Sequence, residues 1–286
     1  MKSICVGDNV IDLYVNSGRM YPGGNAVNTA AHLAKLGAES VYFGNFGTDA
    51  MAGVVKRALD RAGVDRSRCY TIDGATTKHC NYEVTDGERQ FLNVELGANW
   101  QGPMTLTDQD LAYIRSFDMA LSSCNAKMEN EMRKIAALGN LFIFDFGEKE
   151  KYRTDEYLVK VCPGLDLAMF SVEPEGDLKD FAEHVLDQGA ANVLLTMGRS
   201  GQMLISRDVC VMGESIPVDA VDTMGAGDAF LAAFVYEMFG AGWRKGEAFS
   251  AGKVSAALDR ASDFARQNCL VGGGFGYEVT DCGSGL

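Results

Sequence analysis

Short apolar runs alternate along this chain with longer segments in which apolar residues recur at helical spacing. Such runs are typical of strands in a parallel sheet whose two faces are both covered by helices. The pattern therefore predicts an α/β protein. Strands are predicted at residues 4–7, 41–44, 119–122, 141–145, 167–170 and 193–196, and helices at 26–36, 50–62 and 229–238, the last starting near Gly227.

The segment 69–96 has a different pattern. Its strand-forming residues flank Asp86-Gly87, and an Asp-Gly pair in this setting predicts a tight hairpin turn. We expect this segment to attach antiparallel strands to the parallel core. Two interpretations stay open, a lid over a binding site and an ordinary extension at the edge of the sheet.

Length, charge and cysteine usage restrict the class of protein. The 286 residues suffice for one large domain, and we expect residues 1–286 to form it because no linker-like segment marks a boundary. The net charge of −13 argues against a nucleic-acid or anionic-membrane partner. The eight cysteines include no Cys-x-x-Cys pair, and no apolar segment is long enough for a membrane span, so we expect a cytoplasmic protein with reduced thiols.

The stretch Asp222-Thr-Met-Gly-Ala-Gly-Asp228 places an acid against glycines at the start of an apolar helix. Unpaired N–H groups and the helix dipole at such a terminus favour an anion, and Gly225 and Gly227 allow a tight loop around it. A carboxylate beside an anion site is suited to phosphoryl transfer. The alternative is that Asp228 is only a charge at a helix start, which is a common feature.

Two widespread nucleotide-binding patterns are missing. The only Gly-Lys dipeptide, Gly252-Lys253, precedes Val254 and does not complete a Walker motif. The loop at 225–230 lacks the third glycine of a dinucleotide fingerprint and lies late in the chain. The sequence therefore disfavours both a P-loop NTPase and a Rossmann-type cofactor domain.

Further motifs occur in order along the chain: Gly7-Asp-Asn-Val-Ile-Asp12, Tyr21-Pro-Gly-Gly-Asn-Ala-Val-Asn28, Gly44-Asn-Phe-Gly-Thr-Asp49 and Thr196-Met-Gly-Arg-Ser-Gly201. Together with the stretch ending at Asp228, they resemble the ribokinase family of PfkB-type carbohydrate kinases over nearly the whole chain. The resemblance implies a three-layer α/β/α ribokinase-like fold. It also implies a mainly parallel central sheet and a small antiparallel β lid, formed from segments near 12–21 and 69–97.

The resemblance also implies roles for residues around the reacting groups. Asp228 matches the base that takes the proton from a sugar hydroxyl as this attacks the γ-phosphate of ATP. The N–H groups of the residues just before it match the anion hole, and a polar set near the N-terminus matches positions that hold sugar hydroxyls. The anion-hole residues are Gly225, Ala226 and Gly227, and the sugar-binding residues are Asp12, Gly24 and Asn28.

The nucleotide half follows the family less closely. Thr196, Gly198 and Gly201 match the segment beneath the nucleotide phosphates and ribose, although alone they also fit a strand end and turn. Lys149 lies where many members carry an arginine, and we expect it to contact phosphate. Where the family places Asn-x-x-Glu near Mg²⁺, this chain has Ser171-Val-Glu-Pro-Glu175, so Glu173 and Glu175 are both candidates for the metal, or a solvated pair at a helix start.

Within the family, the motif combination is similar to that of fructoselysine 6-kinases, which implies phosphorylation of the 6-hydroxyl of an Amadori-type amino sugar. Lys78, Arg89 and Glu95 are candidates for its charged amino-acid part. The open alternatives are a fructokinase, another small-sugar or nucleoside kinase, and a non-catalytic sugar-binding sensor. The resemblance implies a sugar and MgATP as ligands, allows a monovalent cation, and implies a homodimer formed through the lid.

Overall fold

The structure, a computed structural model, describes residues 1–85, 88–100 and 102–279, so the predicted hairpin tip Asp86-Gly87 lies outside the described residues. The strands are β1 Lys2–Val6, β2 Val10–Tyr14, β3 Arg19–Gly23, β4 Glu39–Phe43, β5 Asn45–Phe46, β6 Tyr70–Thr71, β7 His79–Thr85, β8 Glu88–Glu95, β9 Met119–Ser123, β10 Leu141–Asp145, β11 Leu167–Ser171, β12 Asn192–Thr196, β13 Gln202–Ser206 and β14 Cys210–Gly213. The helices are α1 Asn25–Lys35, α2 Ala50–Ala62, α3 Asp108–Arg115, α4 Met132–Ala136, α5 Asp155–Val161, α6 Leu178–Asp187, α7 Ala226–Gly240 and α8 Ala251–Asn268.

The central sheet is mainly parallel. Within the described residues its strand order is β14-β13-β12-β11-β10-β9-β1-β4. From β12 to β4 all neighbours are parallel, whereas β13 and β14 add an antiparallel edge that the apolar pattern did not predict. Each predicted strand is present, and the strand at Leu141–Asp145 is buried over its whole length because helices cover both faces.

Two apolar clusters, one on each face of the sheet, form the core. The first packs α1, α2, α7 and α8 against the sheet through residues such as Leu33, Phe234 and Leu258. The second packs α3, α4, α5 and α6 through residues such as Ile114 and Val185. The predicted three-layer α/β/α arrangement is therefore confirmed.

A smaller sheet of order β3-β2-β7-β8 lies beside the first core cluster. Its two hairpin pairs, β2–β3 and β7–β8, are antiparallel, and a parallel β2–β7 pair joins them. Of the predicted segment 69–97, β7 and β8 lie in the smaller sheet, whereas β6 pairs with β5. Ile11 of β2 is fully buried, whereas β8 forms an exposed edge.

None of the helices in the described residues combines the length and the apolar character that a membrane span requires.

Candidate active site

The start of α7 depends on glycine. Gly225 precedes the helix with φ +69°, the left-handed region that favours glycine. A Cβ at this position would lie 2.4 Å from the carbonyl oxygen of Gly274, so the two backbones could not approach so closely with any other residue. The loop predicted from the glycines is therefore present, and α7 begins at Ala226, one residue before the predicted start.

The helix terminus presents free backbone donors. The N–H of Ala226 donates to the carbonyl oxygen of Thr223 at 3.2 Å, so this donor of the predicted anion hole is already engaged. In the part of the chain that the structure describes, the N–H groups of Gly225, Gly227 and Asp228 make no hydrogen bond. These groups belong to the four that a helix cannot pair internally, and they form a site suited to an anion.

Asp222 fixes the loop in front of the helix. Its Oδ1 accepts a hydrogen bond from the N–H of Met224 at 2.9 Å, and its Oδ2 accepts one from the N–H of Gly273 at 2.9 Å. The hydroxyl of Tyr14 also donates to Oδ2 at 2.5 Å. The smaller sheet and the glycine-rich segment after α8 therefore meet at this carboxylate.

Both carboxylate oxygens of Asp228 are held by residues of α1. Asn25 Nδ2 donates to Oδ1 at 2.9 Å, and Asn28 Nδ2 donates to Oδ2 at 2.8 Å. Asn25 is itself oriented, because its Oδ1 accepts a hydrogen bond from Asn125 at 2.7 Å. The sequence motif at Asn28 and the motif at Asp228 are thus brought into direct contact.

A second buried acid lies beside this group. The same Asn25 Nδ2 reaches Asp145 Oδ2 at 3.0 Å, and the N–H of Gly147 donates to Asp145 Oδ1 at 2.8 Å. Burial raises the pKa of Asp145 to about 6. Burial, reinforced by the charge of Asp145 and more weakly by that of Asp8, raises the pKa of Asp228 to about 7, while its hydrogen bonds from Asn28 and Asn25 oppose the rise. Asp228 is thereby poised to exchange a proton near neutral pH.

The predicted sugar-binding residues border the same region. Gly24 precedes α1 with φ +101°, and a Cβ there would lie 2.9 Å from the carbonyl oxygen of Asp8. Asp12 is buried on β2, and a Cβ at Gly23 would lie 2.5 Å from its Oδ2. The chain therefore folds Asp12, Gly24 and Asn28 around one region next to Asp228.

The predicted nucleotide-binding residues form a second group. A cavity of about 700 Å³ opens past the carboxyl ends of β11 and β12, and Gly198, Glu173 and Glu175 line it. Thr196 ends β12, and its hydroxyl donates to Phe170 O at 3.4 Å. Gly201 has a packing role, because a Cβ added at this position would lie 2.3 Å from Gly213 O.

Lys149 is exposed and forms no salt bridge within the described residues. It precedes a short 3-10 helix, Glu150–Tyr152, and Glu148 and Glu150 on either side of it line the cavity. The structure therefore puts Lys149 near the second group but gives it no fixed partner.

A family model described as "pfkB family carbohydrate kinase" matches residues 4–270 of this chain. The chain belongs to the pfkB family of carbohydrate kinases. The kinase is 31% identical to "Fructosamine kinase FrlD" of Bacillus subtilis (strain 168), with 97% of this chain and 94% of the relative covered. It is 30% identical to "Fructoselysine 6-kinase" of Escherichia coli (strain K12), with 90% of this chain and 97% of the relative covered.

Solved structures confirm the fold of the kinase. An Arabidopsis thaliana ribokinase complexed with ribose and ATP superimposes with a TM-score of 0.78 at 23% identity, covering 96% of this chain and 94% of that one. The ribokinase-like fold and membership of a family of phosphotransferases that act on carbohydrate alcohol groups, both predicted from the motifs, are confirmed.

Sequence reasoning missed several residues of this kinase's site. Asn25 was part of a quoted motif, yet nothing local signals that it bridges two acids. Asp145 was predicted only as the last residue of a buried strand, and its contact with Asn25 was not predicted. The segment 271–275 received no role, although Gly274 packs against both Asn28 and Gly225 and accepts a hydrogen bond from His32 Nε2 at 3.0 Å if that nitrogen is protonated. A run of three glycines before Phe275 was the available signal.

The candidate magnesium ligands fit only a site in which a bound nucleotide completes the coordination of the ion. Within the described residues, no cluster of three His, Cys, Asp or Glu side chains could hold a metal ion alone. Glu173 and Glu175 are both exposed at the cavity. Magnesium in kinases typically takes one or two carboxylates and completes its shell with phosphate oxygens and water, and this donor set fits that mode.

The three candidates for a charged part of the substrate differ in position. Lys78 forms an ion pair with Asp8 next to the predicted sugar-binding residues. Glu95 is exposed, lies 3.4 Å from His79 Nε2, and shares the face of the smaller sheet opposite Asp12. The side chain of Arg89 lies outside the described residues.

Proposed function

We propose that this carbohydrate kinase is an ATP-dependent ketose kinase that phosphorylates the 6-hydroxyl of fructoselysine or a related Amadori amino sugar. The observation that carries the proposal is the position of Asp228, held through both oxygens by Asn25 and Asn28 beside three unpaired N–H groups where α7 begins. The similarity to a fructosamine kinase and a fructoselysine 6-kinase over at least 90% of the chain supports this substrate class.

In the proposed reaction, Asp228 accepts the proton of the sugar hydroxyl while the hydroxyl oxygen forms a bond to the γ-phosphorus of ATP. The bond from that phosphorus to the β,γ-bridging oxygen breaks, and ADP leaves. A pKa of about 7 suits a general base at neutral pH. The unpaired N–H groups of Gly225, Gly227 and Asp228 supply fixed dipoles for the transferred phosphoryl group.

The nucleotide is proposed to extend from α7 towards the cavity past β11 and β12. Gly198, which lines the cavity, and Thr196 at the end of β12 are proposed to border its phosphates and ribose, and the exposed Lys149 to add a positive charge. Glu173 and Glu175 would hold Mg²⁺, which neutralises phosphate charge when bound. A monovalent cation stays a prediction from the family resemblance.

A second candidate substrate is a nucleoside, because the smaller sheet carries aromatic rings on the face that bears Asp12. Tyr14 contacts Tyr21 and Tyr82 at centroid distances of 5.0 Å and 5.9 Å, and Tyr82 contacts Phe91 at 5.7 Å. Tyr14 also reaches the loop of Asp222, so this face looks towards the site. Tyr14 and Tyr21 are buried, so Tyr82 and Phe91 are the rings available to stack on a base or on the apolar face of a sugar.

The smaller sheet is also the proposed dimer contact. Its edge strand β8 exposes Phe91, Leu92 and Val94, and Leu96 follows it at 70% exposure. An open edge with apolar side chains favours pairing with a second copy of the chain. Light scattering of the wild type and of Leu96→Asp tests this: a monomeric wild type contradicts the proposed dimer, and a variant that stays dimeric contradicts a contact through Leu96.

The function is tested by ADP release from MgATP with fructoselysine, N-α-fructosylglycine, fructose, ribose and a nucleoside at matched concentrations. We expect clear preference for an Amadori compound and a product that carries phosphate on its 6-oxygen. Turnover confined to the nucleoside would favour the second candidate, and turnover confined to fructose would replace the amino sugar by a simple ketose.

A further inference from the structure

A partly buried ion pair lies between the central sheet and the smaller sheet. Asp8 follows β1 at the edge where the parallel strands end, and its carbonyl oxygen faces Gly24. Lys78 precedes β7, and its Nζ lies 2.6 Å from Asp8 Oδ2. Burial lowers the pKa of Lys78, but the charge and hydrogen bond of Asp8, together with weaker contributions that include Asp12, outweigh this effect and raise it. Lys78 therefore keeps its positive charge, and the pair lies beside Gly24, one of the predicted sugar-binding residues.

The pair has unused hydrogen-bonding capacity. Asp8 Oδ1 is buried and has no hydrogen-bond partner among the described residues. The ammonium of Lys78 carries three donors, and its hydrogen bond to Asp8 uses one. The side chains are 15% exposed for Asp8 and 24% for Lys78, so a narrow opening to solvent remains. A buried carboxylate oxygen without a donor is costly, and a ligand that supplies the donor gains that energy.

We propose that Asp8 and Lys78 read the charged part of the substrate, with Asp8 binding a substrate ammonium and Lys78 binding a carboxylate next to it. This inference rests on the proposed function, in which the sugar carries an amine at carbon 1. Because the two protein charges touch, they fit a ligand whose opposite charges are also adjacent. Among amino-sugar substrates, that arrangement occurs when a ketose is linked to the α-nitrogen of an amino acid.

Charge balance gives the expected order of substrates. A zwitterionic part exchanges partners with the protein pair, so every charge stays paired. An amine without a carboxylate competes with Lys78 for Asp8 and supplies no anion to Lys78 in exchange. A neutral sugar leaves Asp8 Oδ1 without a hydrogen-bond donor. Since hydrogen bonds to charged groups contribute about 1.5–3 kcal/mol, each missing partner should weaken binding by roughly 10-fold to 100-fold.

The experiment measures dissociation constants by titration calorimetry without ATP for three ligands: N-α-fructosylglycine, 1-deoxy-1-propylaminofructose and fructose. In the wild type we expect binding in that order, from tightest to weakest. Lys78→Met should abolish the preference for the glycine adduct over the propylamine adduct, and Asp8→Asn should abolish the preference of either amine over fructose. Lys245→Met is the matched control. Lys245 pairs with Asp166 at 2.8 Å, at the end of the central sheet where the parallel strands begin.

Equal ratios in the wild type and both variants would overturn the proposal, because a merely structural ion pair would weaken all three ligands alike. If Lys78→Met does not fold, the double variant Asp8→Asn/Lys78→Met removes both charges together and must lose both preferences. ADP release with MgATP is measured in parallel. Failure to phosphorylate any ketose contradicts the proposed function, whereas ketose turnover with unchanged binding ratios contradicts only the roles of Asp8 and Lys78.

Discussion

Asn28 Nδ2 donates a hydrogen bond to Asp228 Oδ2 at 2.8 Å, which joins two residues 200 positions apart in the sequence. With Asn25 on the other oxygen, the carboxylate cannot rotate without losing a partner. The motif proposed to bind the sugar thus fixes the orientation of the proposed base, so in the proposed reaction substrate position and proton transfer depend on the same helix, α1.

Replacing Asp228 by Ala should lower kcat by about 10²-fold to 10⁴-fold, because the proposed general base is lost. The measurement is steady-state ADP release with MgATP and the preferred sugar. Asp108→Ala is the control, because Asp108 is also an acid in the first turn of a helix, α3, and is exposed. Near-normal turnover in Asp228→Ala would reduce Asp228 to a helix-start charge.

The pH profile should respond to Asp145. The base must be ionised, so kcat/KM, which reports the free enzyme, should rise with pH through the pKa of Asp228, about 7. The negative charge of Asp145 raises that pKa, so Asp145→Asn should move the rise to lower pH. The profile of kcat/KM from pH 5 to 9 measures this effect. Asp118→Asn is the control, because Asp118 precedes β9, at the end of the sheet where the parallel strands begin. A profile unchanged in both variants would show that Asp145 does not tune the base.

Gly274→Ala should reduce activity through Asn28. The new Cβ would lie 2.3 Å from Asn28 Oδ1, while the backbone at Gly274 does not adopt the left-handed conformation. Displacement of Asn28 should lower kcat by on the order of 10²-fold, and overpacking should cost about 1–3 kcal/mol of unfolding free energy. Steady-state assays and denaturant unfolding measure the two effects.

Gly252→Ala is the matched control for this change. Position 252 lies in α8 with no atom within 4 Å of the added Cβ, so alanine should stabilise the fold by about 0.5–1 kcal/mol and leave kcat as it is. If Gly274→Ala also kept normal kcat, the contact with Asn28 would have no catalytic importance.

The magnesium assignment predicts a metal-specific defect. The double variant Glu173→Gln/Glu175→Gln should raise the Mg²⁺ concentration for half-maximal rate by on the order of 10-fold, because it removes the two carboxylates proposed to hold the ion. Titration of Mg²⁺ at fixed ATP measures it, and each single variant shows which glutamate matters. Glu183→Gln, an exposed acid on α6, is the control. A normal Mg²⁺ requirement would indicate a solvated pair.

The fold was largely predictable because local patterns encode it. The helix at 50–62 and the strand at 141–145 were predicted with their observed bounds. Burial of one stripe gives the helix a period of about 3.6 residues, whereas burial of both faces makes the strand a continuous apolar run. The antiparallel strands β13 and β14 were missed. β14 has only four residues and lies at the edge of the sheet, whereas β13 is as long as β10 but follows β12 directly as an antiparallel strand, which an alternation of strands and helices does not predict.

The site was predictable only where motifs mark it. Asn28 and Asp228 were identified separately through their motifs, but their hydrogen bond depends on how α1 packs against α7. The bridge from Asn25 to Asp145 and the ion pair from Lys78 to Asp8 join residues 120 and 70 positions apart. No periodicity relates such positions, so these contacts became visible only with the fold.

The glycine segment 272–274 packs against Tyr21 and Asn28 near the beginning of the chain and against Gly225 near its end. Contacts of such long sequence separation form slowly, since the entropy of closing large loops must be overcome before the contacts stabilise anything. During refolding, the local helices and neighbouring strands should therefore appear first, and enzymatic activity should return only with the slowest kinetic phase.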